Sequence, residues 1–122
     1  AGNFLKYGSA DPGALNAGDL PVDSHQLLAL IAPRPVFVSY GIPEQGDSLW
    51  LDHLGTFKAV IAANPVYQLL GVPGLLPMPA DTSTLPPVNE SLLDGRLGWR
   101  QHDGGHTDRP NISHFTAWAD AQ

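Results

Sequence analysis

Twelve prolines and thirteen glycines, about a fifth of the 122 residues, fall in blocks that cut this chain into short segments. Proline locks φ and removes a backbone donor, so neither a long helix nor a central strand survives a cluster of them. Regular structure is thereby confined to the windows between the blocks. Residues 1–22 read as an irregular lead-in, broken by Pro12, Gly13, Gly18 and Pro21. Five prolines (Pro73, Pro77, Pro79, Pro86 and Pro87) exclude regular structure through most of 72–95. A loop of that length inside a compact domain is usually functional or an insertion.

The windows alternate in type. Asp23 or Ser24 offers a short side-chain oxygen to the free amides of a first helical turn, and a short helix over 25–31 ends before Pro33. Residues 35–40 (Pro-Val-Phe-Val-Ser-Tyr) are β-branched and aromatic, as in a parallel strand buried on both faces. A helix is expected over about 51–70, with Leu51, Leu54, Phe57, Val60 and Ile61 at three- and four-residue spacing. Pro65 is expected to kink or divide it, and Gly71 to stop it. Residues 96–101 form a second strand, shorter and more polar, and 111–122 a closing helix with Phe115, Trp118 and Ala119 on one face. Strands alternating with helices imply an α/β fold with a parallel sheet. Two strands cannot make such a sheet alone, so residues 1–122 are expected to be the C-terminal half of one larger domain.

Bulk properties narrow the function classes. With 43% hydrophobic and 15% charged residues the chain is too apolar for disorder. A net charge of −6 with only six Lys and Arg argues against a nucleic-acid partner. No apolar run approaches the roughly 20 residues that cross a bilayer, and no membrane partner is expected. Without cysteine there is neither a disulfide nor a thiolate metal site, and the redox compartment is not legible. The opening residues 1–7 show no basic start followed by an apolar stretch, so no signal peptide is visible; in the half-domain reading it would lie in the front half.

In open α/β sheets, ligands bind at the carboxyl ends of the strands. The loop region after the first strand carries Glu44, Asp47 and Asp52; the loop after the second carries His102, Asp103, His106 and Asp108. An acid loop followed by a histidine loop is the order of an acyl-transfer triad, in which a carboxylate orients an imidazole that deprotonates a serine. Gly104 and Gly105 let the backbone turn sharply and present His106. The serine should stand in Gly-x-Ser-x-Gly, which occurs nowhere here: Ser9, Ser39 and Ser48 lack the flanking glycines. The nucleophile is therefore expected upstream of residue 1. His102 and His106 are four residues apart, a ligating spacing on a helix, but the glycine pair argues against a helix; no metal is expected, and His102 is read as structural or as supporting its neighbours.

Several blocks resemble glucuronoyl esterases and their bacterial acetyl-xylan-esterase-like relatives, which are α/β-hydrolases. They are residues 21–35 (Pro-Val-Asp-Ser-His-Gln-Leu-Leu-Ala-Leu-Ile-Ala-Pro-Arg-Pro), 47–51 (Asp-Ser-Leu-Trp-Leu) and 64–71 (Asn-Pro-Val-Tyr-Gln-Leu-Leu-Gly). Trp99-Arg100-Gln101-His102, Gly105-His106-Thr107-Asp108 and Phe115-x-x-Trp118-Ala119 complete the match, in order over residues 19–121. The resemblance implies the C-terminal half of an α/β-hydrolase fold and cleavage of 4-O-methylglucuronoyl esters linking xylan to lignin alcohols. By motif, His106 falls on the catalytic histidine and Trp50 on a tryptophan bordering the uronate pocket. Asp47 falls near a carboxylate that serves as triad acid in some members. Others place that acid after an earlier strand, upstream of this chain, and Asp52 is a further candidate. No cofactor is implied. The implied partners are the N-terminal half of the same fold and a glucuronoxylan-type ester, on the secreted or periplasmic side rather than in the cytoplasm.

Plainer readings stand beside these. Asp47 also suits a turn, Trp50 also suits core packing, and Phe115 and Trp118 are expected in the core. Arg34, between two prolines, is expected in a salt bridge. Asn89-Glu90-Ser91 and Asn111-Ile112-Ser113 match glycosylation sequons, a pattern common by chance. An acetyl xylan esterase or other carboxylesterase would keep the same residues. A non-catalytic module would instead bind sugar or protein through Trp50 and the proline-rich loop.

Overall fold

A computed structural model describes residues 7–8, 11 and 13–122; the opening of the expected lead-in lies mostly outside them. From residue 13 to residue 22 that lead-in is irregular apart from a 3-10 turn, Ala17–Asp19. Helix α1 (Ser24–Ala29) begins at Asp23, whose carboxylate caps the first turn while the Gln26 side chain accepts from the Asp23 amide at 2.8 Å. Strand β1 (Val36–Tyr40) follows, then a 3-10 turn Pro43–Gln45 and helix α2 (His53–Leu69). Strands β2 (Ser91–Leu92) and β3 (Leu97–Gln101), a 3-10 turn Arg109–Asn111 and helix α3 (Ile112–Asp120) complete the order.

The sheet has three strands in the order β1-β3-β2, with β1 parallel and β2 antiparallel to β3. The proline-rich segment is thus less irregular than expected: it supplies β2, and Leu75 bridges to Leu97. Both departures place a leucine in the core, Leu75 and Leu92 being almost fully buried. Strand β3, polar in sequence, is buried along its whole length because it is central, while β1, the more apolar strand, is only half-buried at the edge. The expectation that β1 is covered on both faces does not hold within these residues.

Helix α2 runs through Pro65 undivided. The proline sits on the exposed side of the helix, away from the face that packs on the sheet. The opposite side of α2 packs Phe57, Val60, Ala63 and Tyr67 against Leu92, Leu97 and Trp99. On the other face of the sheet, Trp118 packs against Phe37 with ring centroids 5.4 Å apart and donates its indole N–H to the Gly95 carbonyl at 2.8 Å. Trp118 is buried as expected. Phe115 is not: it rests edge-on against Phe37 yet stays 41% exposed. Arg34 makes no ion pair among the described residues; its Nε donates to the Ile31 carbonyl at 3.3 Å. Of the two sequons, Asn111 is buried at 1% exposure and donates to Ser39 and to the Arg100 carbonyl, so only Asn89 is open to modification.

Candidate active site

The parallel register sets Tyr40 opposite Gln101, so the loops leaving β1 and β3 start side by side. The first residue of the histidine loop is tied to the end of β1, the His102 amide donating to the Tyr40 carbonyl at 2.9 Å. Gly41 and Gly105 then meet so closely that a Cβ on Gly41 would collide with the Gly105 carbonyl oxygen. Gly105 itself has φ +80°, a conformation that favours glycine. Gly104 is needed for space instead, since a Cβ there would overlap the Pro110 ring. In the other loop, the Pro43–Gln45 turn ends on a left-handed Gly46, and the Asp47 amide returns to the Ile42 carbonyl at 3.1 Å. This folds Asp47 back beneath the histidine loop.

His106 Nδ1 and Asp47 Oδ1, 59 residues apart in sequence, lie 2.5 Å from each other. The Asp47 side chain is 3% exposed and that of His106 is 67% exposed, so the pair runs from the interior to the surface. Burial pushes the Asp47 carboxyl up, but hydrogen bonds from His106, the Ser48 amide and His53 outweigh it and hold its pKa at about 2. Asp47 is therefore ionised and accepts, which makes His106 Nδ1 the donor. In the neutral ring, Nε2 is left as a bare acceptor on an exposed imidazole. Ser39, Tyr40, Leu51, Thr107 and Asp108 join the pair around an open cleft of about 200 Å³.

The other expected residues are deployed differently. Trp50 is 81% exposed, three residues beyond Asp47, and does not line this cleft. Asp52 caps α2 by accepting from the Gly55 amide at 2.8 Å, and Glu44 points to solvent in the 3-10 turn. His102 is fully buried, its Nδ1 accepting from the Gly104 amide at 3.0 Å, so it faces away from the role of a surface ligand. No group of three or more metal-ligating side chains occurs among the described residues. His53 was not singled out in the sequence. It is 6% exposed and its Nε2 lies 3.4 Å from Asp47 Oδ2. Only the return of the chain through Ser48–Leu51 brings it there, and no sequence spacing encodes that.

The chain is similar to known proteins in both structure and sequence. A glucuronoyl esterase from Teredinibacter turnerae superposes with a TM-score of 0.79 at 43% identity, covering 100% of this chain and 26% of its own. A second, from Solibacter usitatus, gives 0.68 at 30% identity over 84% of this chain and 24% of its own. The class that this fold defines is the α/β-hydrolase, of which the chain carries one part. A family model described as glucuronyl esterase, fungi, matches residues 7–71. A 4-O-methyl-glucuronoyl methylesterase from Phanerochaete carnosa is 43% identical over 63 residues, 52% of this chain and 14% of its own length. A carbohydrate esterase from an unknown prokaryotic organism is 36% identical over 71% of this chain and 18% of its own length. The chain belongs to the glucuronoyl esterase family. It spans about a quarter of the length of the solved relatives and less than a fifth of that of the curated ones.

Proposed function

We propose that these residues supply the acid and base of a serine-type carboxylic-ester hydrolase that cleaves 4-O-methylglucuronoyl esters of plant cell-wall xylan. The observation that carries this reading is the 2.5 Å contact between a buried, ionised Asp47 and an exposed His106 at the carboxyl ends of two parallel strands. The names of the relatives support the substrate class. The serine comes from polypeptide outside residues 1–122, which contain no Gly-x-Ser-x-Gly. The N-terminal part of the same fold would sit against β1, whose outer edge is unpaired among the described residues and is flanked by the half-exposed Ile112 and Phe115.

In this reading the serine oxygen attacks the uronate carbonyl carbon while His106 Nε2 takes its proton. The resulting imidazolium is stabilised by Asp47 and then protonates the departing alcohol as the C–O bond breaks. Water deprotonated by the same nitrogen attacks the acyl-enzyme, releases the uronic acid and restores the serine. Trp50, projecting beside the acid loop, offers a flat face on which a sugar ring can stack. The proposal requires no cofactor.

The test uses the complete enzyme carrying these residues, assayed on an alkyl 4-O-methylglucuronoyl ester and on acetylated xylan. Hydrolysis of the first, lost in H106A, is expected. Preference for the acetyl ester would move the assignment to an acetyl xylan esterase. Retained turnover in H106A would contradict the role given to His106.

A further inference from the structure

Asp47 has three donors, and they are unevenly shared. Oδ1 faces both His106 Nδ1 at 2.5 Å and the Ser48 amide at 2.8 Å, whereas His53 Nε2 at 3.4 Å is the sole described donor to Oδ2. A carboxylate held at one oxygen can swing about its Cβ–Cγ bond, because that terminal torsion is broad. A donor on the second oxygen fixes the plane of the group, as outer partners do for the ligands of a metal. His53 is seated for this task. It opens α2, it is 6% exposed, and its ring meets Tyr40 edge-on at 4.5 Å. Tyr40 in turn is tied by its hydroxyl to Thr56 at 3.0 Å, in the next turn of the same helix. The neighbouring Asp52 does not compete for the ring, its carboxylate being engaged by the Gly55 amide.

We propose that His53 is a positioning residue for the Asp47–His106 pair: its Nε2–H holds Oδ2 so that Oδ1 stays aimed at His106 Nδ1. This rests on the esterase reading, in which His106 must keep one orientation through both proton transfers. An ionised carboxylate only accepts, so the proposal also fixes the protonation site: Nε2 of His53 carries hydrogen. Packing against Tyr40 imposes no such requirement. The contact is at the long end of hydrogen bonding, which makes it an orienting influence rather than the main hold on the acid.

The test is made in the complete enzyme with an alkyl glucuronoyl ester. Wild-type turnover is established first; its absence would overturn the esterase reading and would be told apart from failure of the inference by the tautomer measurement below. H53F keeps a ring against Tyr40 without a donor, and H53Q restores an N–H. In H53F kcat is expected to fall about tenfold with KM within about twofold, and H53Q to recover most of the loss. An unchanged kcat in H53F, or equal losses in both variants, would overturn the proposal. Long-range nitrogen–proton NMR of the wild-type enzyme with labelled histidine tests it independently of how the variants fold. Hydrogen on Nε2 of His53 is expected; a neutral ring with bare Nε2 overturns the proposal even if turnover is absent.

Discussion

At Asp47 two effects of opposite sign meet. Burial raises the carboxyl pKa, and the bonds from His106, the Ser48 amide and His53 bring it down to about 2, below the ordinary 3.8. A depressed folded-state value stabilises the fold above the unfolded pKa, and that stability is lost as pH falls through the folded one. A titration of Tm should therefore show a contribution from Asp47 that disappears between about pH 4 and pH 2. In D47N the same difference curve should be flat across that window. Trp50 is the contrasting case: at 81% exposure it packs on little, so W50A should leave Tm unchanged. If it stacks on the uronate, W50A should raise KM about tenfold, the loss of roughly 1.4 kcal/mol of binding. An unaltered KM would remove it from the site. His106 and Asp47 were readable in the sequence because loops after parallel strands meet; His53 was not, because its place depends on how a turn closes in space.

At the level of elements, the site exists because two loops touch at glycines. A Cβ on Gly41 would strike the backbone of Gly105, and backbone cannot rotate away as a side chain can. G41A is expected to cost about 1–3 kcal/mol, as overpacking does, and to reduce turnover further by separating Asp47 from His106. Full activity at unchanged Tm would show that the loops can part harmlessly. The segment after α2 depends on a different contact, the Leu75 amide donating to Asn64 Oδ1 at 2.8 Å in the interior. N64A strands that amide, and a loss of about 1–3 kcal/mol in denaturant unfolding is the expected result. The sequence marked the helices and the two parallel strands correctly. It concealed β2 among prolines and the centrality of β3 behind Arg100 and Gln101, since burial of a strand is set by its neighbours and not by its own polarity.

Across the whole molecule, the α/β class was legible from the alternation of elements, and the family from short blocks spread along the chain. Among the described residues β1 pairs with β3 on one side only, and its edge position was not legible because the order of strands in a sheet is set in space and not by spacing along the chain. The proposed mechanism draws on more than this sequence: residues 1–122 contain the proposed pair Asp47 and His106 but no Gly-x-Ser-x-Gly. The 122-residue polypeptide alone is expected to hydrolyse no ester above background, and turnover that a serine-directed inhibitor abolishes would refute the assignment of the nucleophile to another segment. The pairing of Asp47 with His106 is tested most directly by a double-mutant cycle in the complete enzyme, measuring kcat for D47N, H106A and the double variant. Residues acting as one unit predict a loss of about a thousandfold or more in H106A and little further loss when D47N is added. Independent losses that multiply in the double variant, or wild-type turnover in H106A, would contradict the account.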